Sequence, residues 1–120
     1  MRFLVVDDSA VDRLLLTSLL EELGHQVDVY PNTQGVLDKI ATSNYTSVFL
    51  DIVMPEQDGY KFLRALRSNP ATAKQHIIFY SSKRTPLEVD YGLKRAGAND
   101  YLIKRVTRES LVQVLQKVQV

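Results

Sequence analysis

The chain of 120 residues has no cysteine, no tryptophan and only two histidines, His25 and His76. A disulfide framework, a thiolate metal site and a cysteine nucleophile are therefore excluded, and two histidines alone do not make a zinc site. Long apolar runs are missing too. Phe3-Leu4-Val5-Val6 is interrupted by Asp7-Asp8, far short of the roughly 18 residues that span a bilayer and of the roughly seven a secretory signal needs. A cytoplasmic protein without membrane contact is expected.

What is present is ordinary for one globular domain, with 45% apolar and 24% charged residues. A chain of this length buries roughly two thirds of its unfolded surface and needs no staple to fold. We expect a single domain over residues 1–120. The net charge of +1 hides segregation: residues 1–58 hold 3 basic and 10 acidic groups, residues 59–120 hold 12 basic and 4 acidic. Such asymmetry points to nucleic acid, or to a cation pocket on one part and an acidic partner on the other.

Phe3–Val6, Ser47–Leu50, Ile77–Tyr80 and Tyr101–Ile103 are short apolar runs rich in β-branched and aromatic residues, read as buried strands. Gln26-Val27-Asp28-Val29 alternates and reads as an edge strand. Between them lie helical patterns. Val11, Leu14, Leu15, Ser18 and Leu19 repeat at i, i+3, i+4, i+7, as do Leu111, Val114, Leu115 and Val118.

Ser9 with Asp12 resembles a capping box, and Gly24 suits a left-handed end, giving a helix near 10–23. Thr85-Pro86-Leu87-Glu88 opens another over 86–96, closed by Gly97. Weaker patterns mark 33–41 and 58–68, and Thr107 caps the last helix. Strands alternating with helices imply an α/β fold: one doubly wound, five-stranded parallel sheet of flavodoxin-like order 2-1-3-4-5, with five helices.

Ligands of such sheets bind at the carboxyl ends of the strands. Asp7-Asp8, Asp51, Ser81-Ser82 and Lys104 stand there. Three carboxylates in one cleft repel unless a cation joins them, and an all-oxygen donor set favours octahedral Mg²⁺. Lys104 and Ser81 suit phosphoryl oxygens, and Asp51 suits a nucleophile that forms a transient aspartyl phosphate. Singly, each has a structural use as a cap, turn hydroxyl or solvated charge. Together they point to phosphoryl chemistry.

At these residues the sequence resembles the receiver domain of two-component response regulators over about residues 2–119. The resemblance rests on Val5-Val6-Asp7-Asp8-Ser9, Leu50-Asp51-Ile52-Val53-Met54-Pro55 with Asp58-Gly59, Tyr80-Ser81-Ser82, and Gly97–Lys104. It implies a signalling module rather than an enzyme, in which Asp51 takes a phosphoryl group from a sensor histidine kinase, a histidine phosphotransfer protein or a small acyl phosphate. Asp8 and Asp51 would bind Mg²⁺ directly, Asp7 through water, and the Val53 carbonyl would complete the set. Ser81 and Lys104 would clasp the phosphoryl group. Ser81 would then make room for Tyr101 to turn and shift the face of the fourth helix, fifth strand and fifth helix, where a downstream protein docks.

The family's lysine is usually followed by proline across a cis bond. Arg105 stands here instead, and because a non-proline cis bond costs about 2.5–4 kcal/mol, a trans bond and a rearranged loop are expected. Val53 and Lys83 flank the entrance, and apolar Val53 implies a long-lived phosphate. A flavodoxin-type carrier is disfavoured because Asp7-Asp8 would repel a flavin phosphate, and a haloacid-dehalogenase-type phosphatase because Ser9 stands where its second acid belongs. Lys83, Arg84, Lys94, Arg95, Lys104, Arg105 and Arg108 could form a basic patch, but no recognition-helix unit remains to read DNA. An acidic protein partner fits that patch better. The histidines read as incidental surface residues. The Met1 start implies a stand-alone regulator of chemotaxis or pilus-motility type, with a phosphorelay shuttle or phosphate sink as the alternative.

Overall fold

The computed structural model describes residues 1–55 and 57–118. Its strands are β1 (Arg2–Val6), β2 (Gln26–Tyr30), β3 (Ser47–Leu50), β4 (Ile77–Ser81) and β5 (Asp100–Ile103). All pairings are parallel, in the order β2-β1-β3-β4-β5. The helices are α1 (Ala10–Glu22), α2 (Val36–Thr42), α3 (Gly59–Ser68), α4 (Pro86–Asp90) and α5 (Arg108–Val118). Among the described residues no helix is long and apolar enough to cross a membrane.

Successive strand side chains point to opposite faces, so each strand feeds two cores. Leu4, Val6, Val48, Leu50, Ile77 and Phe79 pack with Ile40, Phe62, Leu63 and Leu66 of α2 and α3. Phe3, Val5, Phe49, Ile78, Tyr80 and Leu102 pack with Leu16, Leu20, Leu111, Val114 and Leu115 of α1 and α5. The sheet is thus covered on both sides, which is why its strands read as continuous apolar runs.

Local chemistry sets most helix ends as expected. Ser9 Oγ accepts from the Asp12 N–H, Asp58 caps α3 through the Lys61 N–H, and Thr85 and Glu88 form a complete capping box. Gly24 and Gly97 have φ of 89° and 91°, backbone that only glycine adopts freely. Several details differ. Only part of the Val11, Leu14, Leu15, Ser18, Leu19 stripe faces the core: Leu15 and Leu19 pack against it beside the fully buried Leu16 and Leu20, whereas Val11 and Leu14 are 65% and 68% exposed. Seven apolar residues ring this helix, so periodicity alone left its orientation open, and the sheet selects the 16/20 line.

The first turn expected of α2 is instead an Asn32 turn, whose side chain accepts from the Gln34 N–H, and Gly35 at φ 77° precedes the helix. The helix over 86–96 is split, with α4 passing into a π-helical turn at Tyr91–Arg95. Gly92 in that turn is buried. A Cβ there would lie 3.0 Å from the Tyr101 ring and 3.1 Å from Phe79, so the widened turn lies directly on those two aromatics.

The histidines are not incidental. His76 is half-buried with Nδ1 2.8 Å from Ser47 Oγ, and His25 Nδ1 lies 3.2 Å from the terminal amino group while its ring packs edge-on against Phe3. Each precedes its strand, at the end of the sheet opposite the acidic cluster. At that end all five N–H groups of Arg67 are engaged, donating to the carbonyls of Ala73, Gln75 and Gly97 and to Asn99 Oδ1, which also accepts from the Ile77 N–H. This ties the loop before β5 to the start of β4.

Arg2 and Tyr45 both donate to Asp28 Oδ2, at 2.8 and 2.6 Å, and the Arg2 guanidinium lies over the Tyr45 ring. The Tyr45 hydroxyl, then Arg2, hold the Asp28 carboxyl below its ordinary pKa despite partial burial. We expect Tyr45→Phe to lower stability at pH 7 by about 1 kcal/mol in urea unfolding. Because Asp28's folded pKa is depressed, its contribution is present above the unfolded value and lost as pH falls through the folded one. The difference between parent and variant should narrow over that acid range.

Candidate functional site

Register builds the site. Val6 pairs with Leu50, Leu50 with Phe79 and Ser81 with Ile103, so the next residues of β1, β3 and β5 and the last of β4 emerge together. They are Asp7, Asp51, Lys104 and Ser81. The ladder continues one step through the Asp51 N–H to the Val6 carbonyl at 2.9 Å, and the Lys104 N–H donates to the Ser81 carbonyl at 2.8 Å.

Carboxylate oxygens of Asp7, Asp8 and Asp51 all lie within 4.8 Å of one another. Asp7 is fully buried and Asp51 only 4% exposed, while Asp8 is open to solvent. Asp7 Oδ1 accepts from the Ser9 N–H at 2.9 Å. Its Oδ2 is paired with Lys104 Nζ at 2.9 Å and, among the described residues, accepts no further hydrogen bond. Such an oxygen, among three carboxylates and no nitrogen or sulfur ligand, fits a hard divalent cation. The cluster can bind a metal.

Lys104 Nζ also lies 3.1 Å from Asp12 Oδ2 and 3.6 Å from Asp51 Oδ2, with the Tyr80 ring centroid 5.0 Å away. Burial alone would lower the ammonium's pKa; Asp7, Asp51 and Asp12 outweigh it and raise it. Asp51 is driven the other way. Burial, then the Asp7 charge, push it up to about 8, against a smaller lowering by Lys104.

Gly59 follows the Asp58 cap because the chain runs back against β3. Its N–H donates to the Ile52 carbonyl at 2.7 Å, and a Cβ would collide with the Asp51 carbonyl oxygen and lie 2.8 Å from Ile52 Cα. Ser81 is buried, its Oγ accepting from the Lys83 N–H at 3.2 Å. Val53, two residues after Asp51, is 58% exposed. Tyr101 is turned inward, 8% exposed, with its hydroxyl donating to the Lys83 carbonyl at 2.7 Å.

Asp7, Asp8, Asp51, Ser81 and Lys104 thus emerge at this end of the sheet, while Tyr101 lies within β5, and two expectations need correction. The Lys104-Arg105 peptide is cis. The expectation of trans weighed only the local preference of a secondary amide. Tertiary contacts fix both sides of the bond: Lys104 by its carboxylates and by Ser81, and Val106 by burial in the α1/α5 core. The second concerns Asp12, assigned to a capping box. Its carboxylate does not close the box, because the Ser9 N–H is taken by Asp7, and it reaches Lys104 instead. Asp12 lies in the first turn of α1 while Asp8 lies before the helix, so their spacing carried no helical signal of this contact.

In the metal-free protein Asp51 binds its proton far more tightly when folded than an ordinary carboxyl does. The stability this group confers is present below the unfolded pKa and lost as pH rises toward 8. Asp51→Asn in chelator should therefore melt higher than the parent by a margin that grows from pH 4 to 8 and then levels off, reaching about 2 kcal/mol. A divalent cation should raise the parent's melting temperature at pH 8 and leave the variant's nearly unchanged.

Comparisons with known proteins agree on one family. Residues 3–116 match the family described as the response regulator receiver domain. The protein PilH of Pseudomonas aeruginosa is 34% identical over 117 residues, covering 98% of this chain and 96% of PilH. Other relatives at 34–36% identity are much longer, and the chain spans only 13–16% of their length. The chemotaxis protein CheY4 of Vibrio cholerae superposes with a TM-score of 0.86 at 26% identity, covering 98% of both chains. The receiver domain of the sensor histidine kinase PA1611 of Pseudomonas aeruginosa, solved with a magnesium ion coordinated in its active site cleft, does so at 0.83 and 26%, covering 97% and 94%.

Proposed function

The chain belongs to the family of response regulator receiver domains, modules that take phosphoryl groups from histidine kinases or phosphotransfer proteins, and from that premise we propose which residues carry the transfer here. The observation that carries the reading is the buried Asp51 carboxyl within 4.8 Å of two further carboxylates and 3.6 Å from an ammonium. Asp51 is the acceptor. One of its oxygens forms a bond to phosphorus as the bond from phosphorus to the donor's imidazole nitrogen breaks; that nitrogen keeps the electron pair and later takes a proton from solvent.

Asp8, Asp51 and the Val53 main-chain carbonyl would hold Mg²⁺, with Asp7 acting through water, Mg²⁺ being the ion named for the PA1611 receiver. When bound, Mg²⁺ supplies positive charge for the incoming oxygens and keeps Asp51 ionised. The Ser81 hydroxyl, whose oxygen already accepts from Lys83, and the Lys104 ammonium donate to the phosphoryl oxygens. Tyr101 reads the change, since its hydroxyl is tethered to Lys83, two residues from Ser81.

Residues 1–120 act as one cytoplasmic receiver domain that signals by docking a protein. Leu87 and Ile103 are exposed on α4 and β5, and Lys94, Arg95 and Arg105 are exposed on the segments around them, while Tyr91 packs edge-on against Tyr60 of α3 and Lys94 pairs with Asp90. Exposed apolar and basic residues on these elements support an acidic protein target over a phosphate sink.

Asp51→Asn should abolish incorporation of label from a small acyl phosphate in the presence of Mg²⁺, and equal labelling of variant and parent would overturn the assignment. Val53→Asn should shorten the phosphate's lifetime several-fold, because an amide at the mouth can orient the attacking water and valine cannot. Timed loss of label decides, and a shorter lifetime in the parent would refute the role given to Val53.

A further inference from the structure

Asp12 lies outside the acceptor and metal set, yet its carboxylate is one of two within hydrogen-bonding range of the Lys104 ammonium. We propose that Asp12 is a positioning residue that parks Lys104 away from the acceptor, so that a phosphoryl group on Asp51 must compete with Asp12 for this cation. The inference rests on the reading of Asp51 as phosphoryl acceptor.

The geometry supports it in three ways. Nζ lies 2.9 Å from Asp7 and 3.1 Å from Asp12 but 3.6 Å from Asp51, so the cation sits nearer both neighbours than the residue it is to serve. The lysine has little freedom: its side chain is 11% exposed, its N–H is bonded to the Ser81 carbonyl and its ammonium is close to the Tyr80 ring. Asp12, for its part, is free of the duty its position suggests, because the reciprocal bond of the capping box is absent and its backbone N–H, not its carboxylate, engages Ser9.

Metal binding sharpens the asymmetry. Asp7 belongs to the carboxylate cluster, and a cation held there draws on its charge. Asp12 is then the carboxylate left to hold Lys104. An anion arriving on Asp51 gains the ammonium only by breaking that pair, and its hold is weaker by the strength of the pair.

The test uses beryllofluoride with Mg²⁺ as the phosphoryl mimic, titrated by NMR on the full chain. Asp12→Asn should bind the mimic about three- to tenfold more tightly than the parent. Removing any nearby negative charge also favours an anion, so the measurement is repeated on Lys104→Met, where the gain from Asp12→Asn should vanish. No gain in the parent, or an undiminished gain without Lys104, would overturn the proposal.

If Lys104→Met binds no mimic at reachable concentrations, the Lys104 ammonium signal of the Mg²⁺-loaded protein decides. It should be restricted in the parent and freed in Asp12→Asn, and equal mobility in both would refute parking. Failure of the parent itself to bind the mimic would strike the acceptor reading and this inference together. An unchanged Asp12→Asn beside a binding parent strikes only the latter.

Discussion

Two buried carboxylates side by side, Asp7 and Asp51, are the arrangement on which the rest of this end of the molecule depends. Taking both charges out of water is unfavourable, and their mutual repulsion adds to the cost. One ammonium offsets part of it, and a metal would offset the remainder. The parallel sheet enforces the arrangement, because the register of β1 against β3 leaves the two side chains no separate exits. Lys104 arrives from β5 to meet them, and the bonds flanking its cis peptide keep it there. The cluster is thus poised to attract cations, and its strength comes from the cores that hold the strands in register.

The sequence made that end of the sheet legible because each strand signals its own end. An apolar run stops, a polar residue follows, and parallel topology converts four separate stops into one cluster. Thr85 with Glu88 and Gly97 were equally readable, since caps and left-handed turns are decided by residues in contact along the chain. What could not be read depends on contacts between distant segments. The orientation of α1 is chosen by the sheet from several apolar faces, and the Lys104-Arg105 bond by what holds Lys104 and Val106. The π-helical turn is set by how Gly92 meets Phe79 and Tyr101.

Asp12 illustrates the boundary between the two. Its position in the first turn of α1 marked it as a helix-start residue, and locally that was sound. A carboxylate there faces two possible partners, a backbone N–H three residues back and a cation just past a strand more than ninety residues away. Asp7 takes the first, so Asp12 takes the second. The hydrogen bonding of one acid thus decides the role of another, and a local motif becomes part of the site's electrostatics.

The triad of Arg2, Asp28 and Tyr45 has a consequence at the sheet's open side. β2 is an edge strand, and an unpaired edge invites another chain to add itself. Asp28 sits at the middle of that strand, and its neighbours hold its carboxyl below the ordinary pKa. A strand stacking there would have to accommodate the half-exposed Asp28–Arg2 pair, and the desolvation this demands disfavours lengthening the sheet from that side.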